Sequence, residues 1–384
     1  RSLNARASAR NKPAAKPPAR RKPPPKSAPC YQYMIMEHAK GGDMEEACKA
    51  LPEAMWTPVE VAALFLQMVY SLHVAQAELQ LRHYDVKLLN FFLTTAEELV
   101  PPHKAAATRA VRLRYGVCGR CYAIEMDVEE PMLAMLADFG TADIAPDSFD
   151  EPIDTRHFTT LENAPPDFLL AGAHARQDFA ADSFSLALCL VHMLTGHAPY
   201  EEVLAPLRCP PELRDALEHI WNDGADGQYA PVAQQLEADE EHVLCDTLYR
   251  YLAMFGTDSL TAERAEREGD GGAIPPPVVD VRGSPAWQAV LRWLGSGSGS
   301  GRFARDQQQW SLFGGKQKVI AEARRRMAAL PGCEELLRGL ASFDPGRRWS
   351  MQRALRADMF GMLSCAEASE PPQGDVEVHL VEYL

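Results

Sequence analysis

The chain has 384 residues, of which 46% are apolar and 24% charged, and its formal net charge is −14. This composition supports a substantial core in about two or three domains and excludes disorder throughout the chain. The acidic excess argues against nucleic acid as a partner, because phosphate contacts need clustered Lys and Arg. The apolar run 184–194 is too short to cross a bilayer, so no membrane span is expected.

The N-terminal segment and the cysteines bear on the compartment. Residues 1–29 contain nine Lys or Arg, seven Pro and no acidic residue, which predicts a disordered basic tail over 1–30. Such a tail is typical of a plain linker, an arm for an acidic partner, a Pro-rich ligand or the remnant of an organelle-targeting peptide. The nine cysteines lack disulfide-framework spacing, which favours a reducing, cytoplasmic compartment.

The first predicted elements after the tail are a strand and a helix. The apolar and aromatic run 31–39 predicts a strand that ends in a turn at 41–43. The segment 57–60 (TPVE) has the spacing of a capping box, with Pro at the first helical position. Apolar residues then recur at helical spacing as far as Leu72, which predicts a helix that leads to His83.

The middle of the chain combines short strands with a buried helix. Strands are predicted at 91–93 and 132–136, with a polar, Ala-rich insertion near 95–130 between them. The segment 182–194 is apolar on nearly every face, which predicts a helix that is buried all round. Gly196 marks its end.

The C-terminal part is less regular. We interpret residues 210–330 as helices separated by insertions, and the repeat 295–301 (GSGSGSG) within them predicts a flexible linker. Helical periodicity returns at 319–330 and 334–340. Residues 363–384 form an acidic tail.

Two short motifs carry residues suited to phosphoryl transfer. Asp85, Lys87 and Asn90 occur in the pattern H-x-D-x-K-x-x-N directly after the first predicted helix. Asp138 opens an Asp-Phe-Gly sequence that follows an apolar strand. Phosphoryl transfer needs a carboxylate beside the attacking hydroxyl, a cation near the transferred group and oxygen ligands for magnesium. The two motifs supply these residue types.

In these motifs the sequence resembles the eukaryotic protein kinase family, Ser/Thr type. The resemblance implies that Asp85 is the catalytic base, that Asn90 and Asp138 hold magnesium, and that Lys87 lies near the γ-phosphate. ATP and Mg²⁺ are the implied cofactors. The implied partner is a protein substrate with a serine or threonine hydroxyl, and the oligomeric state is left open.

Other landmarks follow in family order. Met36, Glu37 and Ala39 resemble the strand and hinge that contact adenine, with Met36 at the gatekeeper position. Asp43 resembles the acidic residue near the ribose. Thr159 falls where the family has a catalytic threonine that bonds the catalytic aspartate.

The resemblance implies an α+β fold of the protein-kinase type. Residues 31–362 would form the kinase-like domain, with a predominantly helical large lobe and insertions near 95–130 and 225–315. The small N-terminal lobe is expected to be largely missing from this sequence, because only 30 residues precede Tyr31 and they contain no G-x-G-x-x-G motif.

Some positions depart from the family pattern. Tyr84 replaces the arginine that normally binds a phosphorylated activation loop, so we expect another means of ordering that loop. Pro166 replaces the glutamate that pairs with Arg348, and we expect Asp167 to take its place. Asp182, which starts the buried helix, is implied to anchor the catalytic loop.

The leading functional hypothesis is a Ser/Thr protein kinase truncated at its N-terminal lobe. The alternative is an inactive pseudokinase that acts as a binding or scaffold protein. A small-molecule phosphotransferase is less favoured, because the segment around Thr159 shapes a peptide groove in the family. Cys118 and Cys121 have the spacing of half a zinc site, but two ordinary loop thiols are favoured because no second pair matches.

Overall fold

The molecule is a mostly helical α+β fold with two small antiparallel sheets, which confirms the predicted fold class. The computed structural model describes residues 38–50, 56–153, 155–158, 160–223, 227–236, 242–256, 281–365 and 376–383. The predicted basic tail lies outside these residues, as does the predicted strand 31–39 except for its last two positions.

The described regular elements are named here in chain order. The helices are α1 (Met44–Ala50), α2 (Pro58–Leu79), α3 (Pro166–Ala171), α4 (Ala180–Thr195), α5 (Pro211–Asp223), α6 (Ala230–Leu236), α7 (Val243–Phe255), α8 (Pro285–Gly295), α9 (Gly297–Trp310), α10 (Lys318–Ala328), α11 (Cys333–Leu340) and α12 (Met351–Ala354). The strands are β1 (Phe91–Thr94), β2 (Ala110–Val117), β3 (Arg120–Asp127), β4 (Leu133–Leu136) and β5 (Val376–Tyr383). Short 3-10 turns at Leu88–Asn90 and Phe139–Thr141 flank the first sheet.

Helix α2 begins where the capping box predicts. The Glu60 amide donates to the Thr57 hydroxyl at 3.3 Å, and the Thr57 amide donates to the Glu60 carboxylate at 2.6 Å. The helix runs for 22 residues and is long and apolar enough to cross a membrane, which the sequence analysis overlooked because polar residues such as Gln67 interrupt its apolar run. Its most apolar window is 72% buried inside the molecule, as in a core helix.

Helix α4 lies at the centre of the core, as its apolar sequence predicts. Every residue from Ala181 to Thr195 is buried, including polar ones such as Asp182. Gly196 adopts a left-handed conformation with φ of 76°, and its amide closes the helix on the His192 carbonyl at 2.7 Å. Helix α4 packs against α2, α10 and α11, so it supports elements from both ends of the chain.

The first sheet pairs the two predicted strands. Strands β1 and β4 are antiparallel, with Phe91 opposite Leu136. The buried side chain of Gln67 on α2 extends this ladder, because it donates to the Met132 carbonyl and accepts from the Ala134 amide, both at 3.0 Å. The sheet is thereby fixed to the core helix by polar bonds as well as apolar packing.

The second sheet has two of its strands within the insertion predicted near 95–130. Strands β2 and β3 form a hairpin with Val117 opposite Arg120, and its two turn residues, Cys118 and Gly119, both have positive φ. A turn of this kind matches the twist of a hairpin. Strand β5 pairs with the other edge of β2, where only an acidic tail was expected. Cys118 lies in the hairpin turn and Cys121 in β3, and both are half-buried.

The glycine-serine repeat at 295–301 is helical, which corrects the prediction of a flexible linker. Helix α9 starts at Gly297, and the Ser296 hydroxyl caps it by accepting from the Gly299 amide at 3.1 Å. A Cβ on Gly299 would lie 2.0 Å from the Trp293 carbonyl oxygen, so only glycine fits against α8. Here packing outweighs the poor helix propensity of glycine.

Candidate active site

The loop that carries the candidate catalytic residues is held by the buried helix α4. The Asp182 carboxylate accepts hydrogen bonds from the backbone amides of His83 and Tyr84, each at 2.8 Å. Tyr84 needs this support because its φ is +60°, a conformation that costs free energy in a residue with a Cβ. The structure therefore contains the contact implied for Asp182.

Three of the predicted residues meet around one carboxylate. Asp85 Oδ2 accepts a hydrogen bond from Asn90 Nδ2 at 2.8 Å and lies 3.0 Å from Lys87 Nζ. Asn90 Nδ2 also donates to the Asp85 carbonyl at 2.8 Å. Asp85 is 5% exposed, so these contacts fix an almost fully buried carboxylate.

A threonine next in sequence to the predicted Thr159 completes this cluster. Thr159 lies outside the described residues. Its neighbour Thr160 contacts Asp85 Oδ1 through its hydroxyl at 3.5 Å and accepts a hydrogen bond from Lys87 Nζ at 3.2 Å. The sequence offers two adjacent threonines, and the structure shows that the second of them contacts Asp85.

Asp138 is positioned from the first sheet. The Ala137 amide donates to the Asn90 carbonyl at 2.9 Å, which continues the β1–β4 ladder and places Ala137, the residue before Asp138, opposite Asn90. His83 Nε2 bonds the Ala137 carbonyl at 3.0 Å, and the Thr141 hydroxyl donates to the His83 carbonyl at 2.8 Å. Both flanks of Asp138 are thus tied to the loop before Asp85.

The Asp138 carboxylate is available to a ligand. Asp138 is exposed and has a left-handed φ of 57°, and its carboxylate accepts one long hydrogen bond from the Gly140 amide at 3.3 Å. Phe139 beside it is 52% exposed. The candidate site therefore opens to solvent at Asp138 and closes towards Asp85.

The residues predicted on the nucleotide side are only partly described. Met36 and Glu37 lie outside the described residues. The Ala39 carbonyl accepts from the Gly42 amide at 3.2 Å in the predicted turn, and this turn pairs with β1. The Asp43 carboxylate accepts from the Glu46 amide at 2.8 Å, so it caps the first turn of α1. Ala39 and Asp43 therefore border the sheet that carries Asn90 and Asp138.

A buried arginine that belongs to neither of the two sequence motifs links the candidate catalytic loop to the segment after Asp138. Arg82 is fully buried and its Nη2 lies 3.0 Å from Asp143 Oδ2. Burial would raise the pKa of Asp143, but hydrogen bonds from the Ser148 hydroxyl and the Ala145 amide, with the Arg82 charge, lower it overall. The sequence indicates this contact only through the position of Arg82 directly before the H-x-D-x-K-x-x-N pattern.

The expected partner of Arg348 is confirmed. Its guanidinium forms a buried ion pair with the Asp167 carboxylate at the start of α3. Arg348 Nε also donates to the Ser342 carbonyl at 2.8 Å. The carboxylate of Asp167, one position after Pro166, therefore forms a buried ion pair between α3 and the C-terminal part of the fold.

The donor set fits a magnesium ion held together with nucleotide phosphates. Asn90 directs its amide nitrogen at Asp85, which leaves its carboxamide oxygen as the free ligand atom, and Asp138 adds an exposed carboxylate. Mg²⁺ prefers oxygen ligands and often uses one or two carboxylates with substrate phosphates. Within the described ranges no three His, Cys, Asp or Glu side chains form a metal cage, which such a shared site does not require.

Comparison with known proteins gives limited similarity. No family model matches the chain, and no curated protein matches it. One similar solved structure is a chain of the yeast RNA Pol II CTD kinase CTDK-1 complex, with 13% identity and a TM-score of 0.45 over 88% of this chain and 71% of that chain.

Proposed function

We propose that this protein is a Ser/Thr protein kinase that transfers the γ-phosphoryl group of ATP to a protein hydroxyl. The observation that carries the proposal is the contact of Asn90 and Lys87 with one buried carboxylate oxygen of Asp85, at 2.8 and 3.0 Å. Asp138 adjoins this group through the backbone bond between Ala137 and Asn90. A carboxylate, a cation and two oxygen ligands are the groups that phosphoryl transfer requires.

Asp85 is suited to orient the attacking hydroxyl. Its neighbours hold the carboxylate in one position, with Asn90 and Lys87 on Oδ2 and Thr160 at a longer distance on Oδ1. An ionised carboxylate has about four lone-pair sites, so Asp85 retains acceptor capacity for a substrate hydroxyl. Because the nucleophile needs alignment more than strong deprotonation, a fixed acceptor is the main contribution of this residue.

Lys87 supplies positive charge beside the same carboxylate oxygen that Asn90 contacts. Its amine lies between Asp85 Oδ2 and the Thr160 hydroxyl, and its side chain is 25% exposed. The ammonium group therefore reaches the opening of the site without leaving Asp85. There it would stabilise negative charge on the transferred phosphoryl group.

Asn90 and Asp138 would hold magnesium through their side-chain oxygens. When bound, the ion would neutralise charge on the nucleotide phosphates. The chain's contribution is to keep the two ligands together, which it does through the β1–β4 ladder and the bond between the Ala137 amide and the Asn90 carbonyl.

The test separates nucleotide binding from transfer. With the full chain, γ-labelled ATP and a library of serine and threonine peptides, we expect phosphate transfer to depend on Mg²⁺. Asp138→Ala should abolish Mg²⁺-dependent ATP binding, measured by calorimetry. Asp85→Asn should retain ATP binding and lose about 100-fold or more in kcat.

The matched control is Asp147→Ala, which removes an exposed carboxylate outside the site and should leave transfer unchanged. Transfer that survives Asp138→Ala would show that the metal ligand is wrongly assigned. A chain that neither binds MgATP nor transfers phosphate would contradict the kinase proposal and favour the binding or scaffold function.

A further inference from the structure

Three of the eight described cysteines are only half-buried, and all three belong to the second sheet or its border. Cys118 and Cys121 lie in the β2–β3 hairpin, and Cys365 follows a 3-10 turn, Asp358–Leu363, that packs against β3. The other five are buried, and burial raises the pKa of four of their thiols, those of Cys48, Cys189, Cys209 and Cys333. Because thiolates are the reactive form, the three half-buried cysteines are the ones accessible to redox chemistry.

Cys121 and Cys365 lie directly opposite each other across an antiparallel bridge. The bridge pairs Tyr122 with Ser364, and the Cys365 amide donates to the Cys121 carbonyl at 3.1 Å. Residues paired in this way extend their side chains from the same face of a sheet, with Cα atoms about 5.5 Å apart. A disulfide spans Cα separations of about 4.4–6.8 Å, so one bond can join these two sulfur atoms.

Cys118 is nearer to Cys121 in sequence but is placed differently. It lies in the turn of the hairpin and packs against the hydrophobic core. Burial alternates along β3, where Tyr122 and Ile124 are buried and Cys121 lies on the opposite face. The sheet pairing therefore selects Cys365, and not Cys118, as the partner of Cys121.

We propose that Cys121 and Cys365 are a modification site that forms a reversible disulfide, with a low-molecular-weight disulfide such as oxidised glutathione as the oxidant. One cysteine thiolate attacks a sulfur of the oxidant and releases one glutathione thiol. The second cysteine thiolate then attacks the mixed disulfide and releases the other. The protein loses two electrons and two protons, and the oxidant becomes two thiols. This site is independent of the kinase function.

The pairing geometry favours a bond that is easily reduced again. In a hydrogen-bonded pair the Cβ atoms lie about 5.5 Å apart, whereas a relaxed disulfide needs about 3.5–4.5 Å. Strained and exposed disulfides have the more oxidising potentials and are the labile ones. The pair would therefore remain as thiols in the reducing compartment that the cysteine pattern favours, and would cross-link when that compartment becomes more oxidising.

The bond would fasten the hairpin to the C-terminal end of the core. Tyr122 already donates its hydroxyl to the Leu355 carbonyl, and its ring centre lies 6.1 Å from that of Phe360. Phe360 stacks on Phe65 of α2 at 6.4 Å. The disulfide would add a covalent bond beside these contacts. Because it would close a very long loop and so restrict the unfolded chain, oxidation should raise the melting temperature.

The experiment incubates the full chain with a series of mixtures of oxidised and reduced glutathione, blocks the remaining thiols and maps the unreduced peptides by mass spectrometry. We expect a cross-link between Cys121 and Cys365 that forms at least about tenfold faster in the native protein than in the urea-unfolded chain, because the fold holds the two thiols together. Dithiothreitol should remove the cross-link and return the melting temperature to that of the reduced protein. Equal rates in the native and unfolded chains would overturn the proposal.

Three variants test which cysteines take part. Cys121→Ser and Cys365→Ser should each prevent the cross-link and the rise in melting temperature on oxidation. The matched control, Cys118→Ser, removes the third half-buried thiol and should retain both effects. A cross-link between Cys118 and Cys121, a cross-link between two copies of the chain, or a reaction that stops at the mixed disulfide with glutathione would overturn the assignment.

Discussion

Tyr84 contacts the segment before α3 through its buried aromatic ring. Its side chain is 1% exposed, and its ring centre lies 5.0 Å from that of His157 and 6.4 Å from that of Phe158. In the kinases that the sequence resembles, an arginine at this position binds a phosphorylated loop. Here the loop before α3 contacts an aromatic ring instead, and burial raises the pKa of that phenol. The contact therefore needs no phosphate.

We predict that Tyr84→Phe and Tyr84→Arg differ sharply in stability. Phenylalanine loses only the long hydrogen bond from the hydroxyl to Gln177 at 3.4 Å and should cost less than about 1 kcal/mol. Arginine would bury a second positive charge close to Arg82 and should cost about 3 kcal/mol or more. Urea unfolding measures both. An arginine variant as stable as the phenylalanine variant would show that an anionic partner lies near this position.

His192 gives a prediction of pH dependence at the same scale. Burial lowers its pKa from 6.5 to about 4, although Glu45 and Glu202 act in the opposite direction. The unfolded chain therefore binds the proton more readily, so this contribution to stability is present above pH 6.5 and is lost as the pH falls towards 4.

When the pH is lowered from 6.5 to 5, the free energy of unfolding should fall by about 2 kcal/mol less in His192→Gln than in the natural chain. Urea titrations of both proteins at the two pH values measure the difference, and effects of other groups cancel in the comparison. Equal losses in the two proteins would mean that His192 titrates normally.

At the scale of elements, local signals predicted helix ends and missed contacts between distant segments. The capping box at Thr57 and the glycine at position 196 act through neighbouring backbone atoms, so the sequence alone places both helix ends correctly. The β2–β3 hairpin also had a signal, because its buried residues alternate along β2 and Cys118-Gly119 suits a tight turn. No local sequence pattern predicts the helix at the glycine-serine repeat, because this helix depends on close packing against Trp293.

The ion pair between α3 and the C-terminal region supports a prediction at this scale. Asp167→Leu should destabilise the protein by about 3–5 kcal/mol, because it leaves the Arg348 guanidinium buried beside an apolar side chain. Asp167→Leu combined with Arg348→Met removes both charges and should cost less than the sum of the two single changes. Thermal and urea unfolding of the four proteins complete the cycle. Strictly additive costs would contradict a direct interaction.

Across the whole molecule, distant parts of the sequence close the second sheet. Strand β5 comes from the C-terminal end of the chain and pairs with β2, whose other neighbour is β3. The Tyr122 hydroxyl on β3 also donates to the Leu355 carbonyl, 233 residues away in sequence. Periodicity within a short window contains no information on such pairings. In the candidate site, the spacing of one motif sufficed to predict that Asp85, Lys87 and Asn90 lie together. The contacts of Thr160 and Arg82 could be found only from the structure.

Removal of β5 should expose an unpaired strand edge on β2. A chain that ends at Cys365 should have a lower melting temperature and associate with itself at high concentration, because a free edge pairs with other chains. Light scattering coupled to size exclusion measures the association. Addition of a peptide of residues 376–383 should reverse it, whereas a scrambled peptide should not. A monomeric truncated protein of unchanged melting temperature would show that β5 contributes nothing to the sheet.

The hydrogen bonds from the His83 and Tyr84 amides to Asp182 have a consequence for the thermal unfolding of the protein. The carboxylate belongs to a helix that is buried on every face, and segments of this kind open only with the rest of a domain. The loop should then lose its conformation at the same temperature at which the core unfolds. A sample that is cooled before unfolding begins should recover the native loop conformation without a slow phase.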